Sequence, residues 1–226
     1  MYRKISILLT ITAALLLFFT GCRVTVGGNS IQGTGAMVTR DIDVADFSMI
    51  DISGNFMIVY RQSTETALTV VMQENLFNHL ETNVQGSTLR VSTRRGFDTT
   101  NANRPRLYIY APYLTAADLS GAVSTSDWDT IQGQSFTIDA SGAVSLEINL
   151  EVENLDMDIS GAVSANLSGF ARNINIDGSG ALNIQAGDLI IESGQVDVSG
   201  AANVYLYSLE NITVNTSGLA RVREAS

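Results

Sequence analysis

The segment FTIDASGAVSLEI, residues 136–148, decides the fold, because closely similar segments recur along the second half of the chain. The next copy is LDMDISGAVSANL, residues 155–167. The central Ser-Gly-Ala begins at Ser120, Ser141, Ser160, Ser179 and Ser199, and Ser217-Gly218-Leu219 follows as a sixth copy. Successive serines are 18 to 21 residues apart. A repeat of this length indicates one structural unit stacked on itself.

Apolar and polar residues alternate through each repeat. In residues 136–148 the apolar side chains share one parity, and residues 155–167 and 196–206 have the same pattern. A period of two is typical of a β-strand with one buried face. The central glycine falls on the inward parity, so we expect it to point inward at a corner where a side chain has no room.

Such units bury their apolar rows by stacking, with parallel strands about 4.8 Å apart. The sequence therefore predicts an all-β protein, a parallel β-solenoid of about six coils of roughly 20 residues each. An antiparallel sandwich of hairpins is the alternative, but one motif at equal spacing favours equivalent positions in a stack. Residues 47–110 are β-rich and less regular, and we expect them to cap the N-terminal end of the solenoid.

The N-terminal 21 residues are typical of a secretory signal peptide. Arg3 and Lys4 precede an apolar run over residues 5–19, and Cys22, the only cysteine, follows where a bacterial lipoprotein has its acceptor. We expect cleavage before Cys22, acylation of the new N-terminus, and therefore a protein that is exported and held at a membrane of the bacterial cell envelope. An ordinary signal peptide followed by an incidental cysteine is the alternative.

The rest of the chain divides into a linker and a domain. Residues 22–38 are rich in Gly, Ser, Thr and Asn, which predicts a flexible tether. Residues 39–226 are long enough for a single domain. With its one thiol acylated, the mature chain would have no disulfide, so its stability must come from the core.

The charge distribution argues against nucleic acid as a partner. The chain has a formal net charge of −10, and residues 107–220 contain 14 acidic residues against a single arginine, Arg172. Arginine is concentrated just before this acidic body. Candidates there for contact with lipid or lipopolysaccharide phosphate are Arg94, Arg95, Arg104 and Arg106, although a solvated hairpin would show the same composition.

Three aromatic residues are candidate binding residues. Trp128 lies between Asp127 and Asp129 in the longest interval between repeats, which suits contact with a carbohydrate. The favoured interpretation, however, is a tryptophan that covers the edge of the core. Tyr205 and Tyr207 flank the inward position of Leu206, so both should face outward and form a small aromatic patch for a partner.

An aspartate stands two places before most of the repeated serines. Asp139, Asp158, Asp177 and Asp197 would stack in register, and each neighbouring pair of like charges would cost about 1 kcal/mol in water. Hydrogen bonds from nearby amides or hydroxyls would relieve this repulsion. A calcium ion shared between coils is the alternative and the only candidate metal; we otherwise expect no cofactor.

The sequence contains no recognisable pattern of catalytic residues. His79 is the only histidine and is far in sequence from the repeated serines, and a Gly-x-Ser-x-Gly elbow is absent. A carboxylate that recurs in every repeat does not match an aspartic-protease pair. Glu147, Glu151 and Glu153 would be the candidate carboxylates of a polysaccharide-acting enzyme, but solvation explains an outward acidic row equally well.

Four features together resemble the head GIN domain family of putative auto-transporter adhesins. They are the opening segment 40–60 with Phe47 and Ile52-Ser53-Gly54, the element Glu74-Asn75-Leu76, the segment 107–119 with its Ala111-Pro112-Tyr113-Leu114 turn, and the Ser-Gly-Ala series. The resemblance covers nearly everything after the tether. It implies a β-solenoid fold and an exported or lipid-anchored protein, while the family's function is undetermined and its adhesin label rests on fold-level analogy.

The family name implies self-transport, which needs a long C-terminal translocating domain. This sequence ends at Ser226, directly after the last repeat, so we expect export through the signal peptide instead. Taken together, the sequence predicts an anchored, non-enzymatic, adhesin-like binding module with a rigid β-solenoid surface. A lipoprotein that binds a lipid or a glycan is the alternative, and a polysaccharide-acting enzyme is third. Partners left open are a glycan, a lipid, a protein surface or a second copy of the chain.

Overall fold

The computed structural model describes residues 31–94, 97–98, 103–208 and 212–225. Of these residues, 80% lie in strands and 4% in helices, which confirms the all-β prediction. None of the helices in this described part is long and apolar enough to cross a membrane. The predicted signal peptide and the acceptor Cys22 lie outside the described residues, as does Arg95.

Twelve strands and one short helix make up the described chain. The strands are β1 (Ile31–Gln32), β2 (Met37–Ile42), β3 (Met49–Gln62), β4 (Ala67–Gln73), β5 (Leu80–Gln85), β6 (Thr88–Thr93), β7 (Phe97–Asp98), β8 (Arg106–Ala111), β9 (Ala116–Thr125), β10 (Ile131–Ser208), β11 (Ile212–Gly218) and β12 (Arg221–Ala225), and a 3-10 helix spans Glu74–His79. They form a mixed, open sheet in the order β11-β10-β9-β3-β8-β4-β2, with β12, β5 and β6 off this path and a separate β1–β7 pair.

The repeats pair in parallel and in register. Ser120 and Gly121 of β9 lie opposite Ser141 and Gly142 of β10. The same register joins β10 to β11 at the C-terminal end, and β3 to β9 at Gly54, the early imperfect copy of the motif. Equivalent positions of successive repeats therefore lie side by side. This pairing excludes the antiparallel hairpin sandwich for these strands; antiparallel pairs occur instead among β2, β4 and β8 and between β5 and β6.

The prediction that the repeat glycine points inward is wrong. Gly142 is exposed, with φ +96°, whereas Ala140 and Val144 on either side of it are buried. A Cβ at Gly142 would lie 2.5 Å from the carbonyl oxygen of Gly121 in the neighbouring repeat. Glycine is therefore required by the left-handed backbone and by the close approach of two backbones. Crowding in the core is not the reason.

The buried parity forms one core along the whole stack. It extends from Phe47 through Phe56 and Phe136 to Leu206 in a single cluster of buried side chains. Burying each large aliphatic side chain contributes about 1.5–3 kcal/mol, so the alternating rows are the main source of stability. Outward side chains of the same strands are left free to form a surface.

The predicted tether over residues 22–38 extends too far. β1 and the start of β2 lie within it. The amide of Asn75 explains the order, because it donates to the carbonyl of Gln32 (2.9 Å) and accepts from the backbone N–H of Thr34 (2.9 Å). Gln73 also donates to the carbonyl of Gly35 (3.1 Å). Composition alone gave no sign of these partners, which come from a distant part of the chain.

A candidate binding groove on the repeat face

A groove of about 580 Å³ crosses the outward face of successive repeats. One end is formed by the loop after β9, residues 126–130, which we call the Trp128 loop, and the other by Tyr205. The lining residues are Asp127, Trp128, Glu147, Ile148, Asn149, Asn166, Leu167, Ser168, Gln185, Gly187, Asp188 and Tyr205. Two aromatic residues singled out from the sequence, Trp128 and Tyr205, therefore belong to one site.

The floor of the groove follows the direction of stacking. Glu147, Asn166, Gln185 and Tyr205 are spaced by 19 or 20 residues, the same offset that separates hydrogen-bonded partners on neighbouring repeats. The first of these rows is positioned by buried Thr125, whose hydroxyl accepts from the backbone N–H of Glu147 (2.7 Å) and donates to its carbonyl (3.2 Å). Each repeat thus contributes one polar side chain to a continuous column.

Trp128 covers the edge of the core and is not an exposed contact. Only 9% of the residue is accessible, and its indole N–H donates to the carbonyl of Ile58 (3.0 Å). Its ring packs edge-to-face on Tyr60, with ring centroids 5.9 Å apart. Burial, with the nearby Asp129 carboxylate, raises the pKa of Tyr60 to about 12. This burial agrees with the interpretation of Trp128 as a cover for the edge of the core, and Trp128 also contributes an edge to the groove wall.

The Trp128 loop is fixed to β3 by charged contacts. Arg61 donates to both the carbonyl and the carboxylate of Asp127, and it forms an ion pair with Asp129 (3.4 Å). The hydrogen bond to Asp127 raises the pKa of Arg61 further above its ordinary value. Asp127 has φ +54°, a conformation that aspartate tolerates better than most residues. Arg61 was missed in the sequence because its partners are 66 and 68 residues away.

Tyr205 forms the opposite end of the groove. It is 39% exposed, while Leu206 is buried, so the predicted outward direction agrees with the burial. A Cβ at Gly187 would overlap the Tyr205 ring, which shows that the ring rests on the bare backbone of the preceding repeat. Tyr207 is half-buried and does not line the groove. The two tyrosines therefore do not contribute equally to one patch.

The groove is polar and acidic. Its carboxylates are Asp127, Glu147 and Asp188, and none of the described residues that line it is basic. The amides of Asn149, Asn166 and Gln185 lie among them. Two of these amides are held in place, since Asn149 donates to the Thr130 hydroxyl (3.3 Å) and Gln185 to Asn183 (3.0 Å). The arrangement suits a ligand with many hydroxyl groups and no negative charge.

The candidate arginines have separate surroundings. Arg94 pairs with Glu81 (2.6 Å), and Arg106 is exposed on β8. Arg104 donates to the Ser124 hydroxyl (3.0 Å) and to the carbonyl of Ala122, and it lines a second cavity of about 340 Å³. Burial lowers the pKa of Arg104, whose Nε has no hydrogen-bond partner. Arg94 and Arg104 thus serve local contacts.

Three of the aspartates that stand two places before a motif serine lie side by side. Asp51, Asp118 and Asp139 lie opposite one another in β3, β9 and β10. Burial and the charges of both neighbours raise the pKa of Asp118, while Arg90, paired with Asp51 (3.3 Å), opposes the rise. The charges of Asp51 and Asp139 therefore disfavour the ionised form of Asp118.

Side-chain amides are hydrogen-bond partners of the carboxylate of Asp197. Asn215 and Gln195 both donate to Asp197 at 2.6 Å, which lowers the pKa of Asp197. Asp177, Asp197 and Asn215 line a shallow cavity of about 240 Å³. Within the described ranges, no three His, Cys, Asp or Glu side chains are arranged to hold a metal ion.

Comparisons of structure find the same fold in solved structures of other bacterial proteins. A putative adhesin from Bacteroides fragilis is 20% identical, with a TM-score of 0.74 over 87% of this chain and 100% of that one. A putative lipid binding protein from Parabacteroides distasonis is 17% identical, with a TM-score of 0.62 and the same coverage. A putative adhesin from Parabacteroides merdae is 16% identical, with a TM-score of 0.54 over 87% and 99% of the two chains. At these identities the likeness shows the fold alone.

Sequence comparison identifies the family. No curated protein matches the chain. The family model described as putative auto-transporter adhesin, head GIN domain, matches residues 46–225, which include the Ser-Gly-Ala series and the whole groove. The chain therefore belongs to the head GIN domain family of putative auto-transporter adhesins.

Proposed function

We propose that the protein is a non-enzymatic, adhesin-like binding module of the bacterial cell envelope, and that it holds its partner in the groove between the Trp128 loop and Tyr205. The observation that carries this proposal is the groove itself, about 580 Å³ lined by outward side chains of successive repeats. Ligand sites in proteins typically enclose about 300–1,000 Å³. Membership of an adhesin family supports the same conclusion.

The proposal includes a parallel β-solenoid of about six coils. Support comes from the in-register pairing of β3, β9, β10 and β11 and from the contact of each repeat glycine with the glycine before it, as at Gly161, Gly180 and Gly200. Stacked repeats give a rigid, extended surface whose curvature changes little on binding. A site spread over several repeats would then be preformed, which limits the entropy lost when a ligand binds.

We also propose that cleavage before Cys22 and acylation of its amino group fix the protein to a membrane. β1 begins at Ile31, only a short stretch of chain after Cys22, so the described domain would remain close to the lipid headgroups. A groove on the side of the stack would stay open to molecules that lie beside the membrane. No cofactor or metal forms part of the proposal.

Two of the acidic side chains considered for catalysis have structural partners. Glu151 accepts from Gln132 (2.8 Å), and Glu153 accepts from Arg172 (2.5 Å), which also bonds Glu192 (2.7 Å) on the next repeat. These contacts tie neighbouring repeats together. Of these three glutamates only Glu147 lines the groove, and one of the other two carboxylates there, Asp127, is ion-paired with Arg61.

A lipid is the second candidate, since one structural neighbour carries the name putative lipid binding protein. The lining of the groove disfavours an acyl chain here. Ile148 and Leu167 are almost wholly buried beneath it, so the accessible floor consists mainly of amides and carboxylates. An acyl chain would leave these polar groups without partners at a cost of about 1–3 kcal/mol each.

The test uses the mature chain, residues 22–226, with Cys22→Ser, which removes the thiol that would be acylated. Retention is measured on intact bacterial cells, isolated cell envelopes, lipid vesicles and an array of glycans. We expect retention that Tyr205→Ala weakens and that Tyr113→Ala, a change of a 55% exposed tyrosine outside the groove, leaves intact. Absence of retention on every one of these surfaces would show that the proposed function is wrong.

A further inference from the structure

We propose that the ligand of the groove is an extended, uncharged oligosaccharide that lies along the stacking direction, with about one sugar unit per repeat. The inference rests on the proposed function and names the ligand class of the same site. It follows from three properties of the groove: the spacing of its rows, the chemistry of its side chains and the sign of its charge.

The rows match the repeat length of a sugar chain. Glu147, Asn166, Gln185 and Tyr205 occupy equivalent positions of neighbouring repeats, and neighbouring parallel strands are about 4.8 Å apart. This distance is close to the length of one pyranose ring in an extended, equatorially linked chain. Four rows would therefore face about four successive sugar units, each opposite a polar side chain.

The side chains suit hydroxyl groups. An amide offers both a donor and an acceptor, as Asn166 and Gln185 do here, and a carboxylate such as Glu147 accepts from two neighbouring hydroxyls. Tyr205 adds a flat apolar surface, since its ring rests on Gly187 and is 39% exposed. An aromatic face covers the C–H face of a pyranose, while the polar rows hold its edge.

The charge selects against acidic glycans. Asp127, Glu147 and Asp188 line the groove, and no basic side chain accompanies them among the described lining residues. A uronate, sulfate or phosphate group on the ligand would be brought close to these carboxylates without a compensating cation. Like-charge contact of this kind is an effective means of rejecting the wrong ligand.

The test is isothermal titration of the mature Cys22→Ser chain with β-1,4-linked glucose and N-acetylglucosamine oligomers of two to six units. Polygalacturonate oligomers of equal length and phosphatidylcholine vesicles are the comparison probes. For a neutral oligomer we expect affinity to increase with each unit up to about four and then to level off, since the groove spans four rows. The acidic oligomers should bind at least about tenfold more weakly.

Two variants locate the binding. Tyr205→Ala and the double change Asn166→Ala with Gln185→Ala should each weaken the neutral tetramer by about tenfold or more, and Tyr113→Ala should leave it unchanged. The double variant alters outward side chains only, so it remains informative if loss of the Tyr205 ring disturbs the fold. Thermal melts of all three variants accompany the titrations.

The outcomes separate this inference from the function on which it rests. If the chain is retained on cells or envelopes but binds no neutral oligomer, or binds polygalacturonate or vesicles better, the ligand class is wrong and the binding function stands. The same holds if binding of neutral oligomers survives both groove variants. If no surface retains the chain, the proposed function itself fails, and the inference fails with it.

Discussion

The column of Glu147, Asn166, Gln185 and Tyr205 forms the floor of the groove and the Trp128 loop forms one end, but the two are stabilised by contacts of different sequence range. In the column, Gln185 donates to Asn183 (3.0 Å), two residues away, and the Tyr205 ring packs on Gly187 of the preceding repeat. In the loop, Trp128 donates to Ile58, 70 residues away. The column therefore depends on neighbouring repeats, whereas the loop depends on β3, which lies before the Ser-Gly-Ala series.

The difference suggests how such a site can change during evolution. The side chains of the column point outward and lie beside equivalent side chains of neighbouring repeats. A substitution there therefore alters the ligand surface with little effect on the core. The loop cannot vary in the same way, because Trp128 is part of the core and Arg61 fixes its neighbours. We therefore expect stability to be sensitive at the loop and ligand choice to be sensitive in the column.

The largest loss of stability should follow Trp128→Ala. Removing a buried tryptophan leaves a cavity against Tyr60 and should lower the free energy of unfolding by about 3–5 kcal/mol. Trp128→Phe keeps most of the packing and removes only the donor to Ile58, so its loss should be about 1 kcal/mol. Equilibrium denaturation measures both. Equal, small losses for the two variants would mean that the loop is not part of the core.

Gly142→Ala should cause a loss of about 3 kcal/mol, because the new Cβ meets the Gly121 carbonyl and the backbone is left-handed. Gly86→Ala is the matched control, since Gly86 has φ +62° and a Cβ added there would meet nothing within 4 Å. It should lose only about 1 kcal/mol, the cost of a left-handed conformation for a residue with a side chain. The difference between the two melting curves measures the close approach of neighbouring repeats. Equal losses would contradict it.

Arg61→Gln should affect the groove more than the fold. Its pairs with Asp127 and Asp129 are partly exposed, so the free energy of unfolding should fall by about 1 kcal/mol. The loop would lose its charged contacts with β3, and we expect retention on the ligand surface to weaken several-fold. Arg94→Gln, which breaks a more exposed pair with Glu81 away from the groove, is the control. A loss of retention in the control would point to net charge as the cause.

Some of these features could be predicted from the sequence and others could not. Strand parity, the register of the repeats and the stacked aspartates followed from a motif that recurs, because equivalent residues of stacked repeats must be neighbours. The exposure of Gly142 could not be predicted in this way. Alternation tells which face a side chain takes in an extended strand, but it does not show that a residue has a positive φ. The hydrogen bond from Trp128 to Ile58 could not be predicted, and neither could the bond between Thr34 and Asn75. No repeat or local pattern relates these residues to one another.

The smallest effect, and the only stabilising one, is expected in the aspartate column. The folded pKa of Asp118 is raised, so the charged form is disfavoured in the folded state. Its protonation favours folding below the unfolded pKa, and this contribution is lost as the pH rises through the folded pKa. Asp118→Asn should therefore raise the free energy of unfolding at pH 7 by roughly 0.5 kcal/mol, and the gain should vanish in acid.

Asp197→Asn should behave in the opposite way, because hydrogen bonds from Asn215 and Gln195 lower the folded pKa of Asp197. Its charge stabilises the fold above the unfolded pKa, and that contribution disappears as the pH falls through the lowered folded pKa. Melting temperatures of the two variants against the wild type, from pH 3 to pH 8, should thus diverge in opposite directions above about pH 4. If both variants were stabilised at neutral pH, like-charge repulsion would extend to the fifth repeat, and the amides at Asp197 would not relieve it.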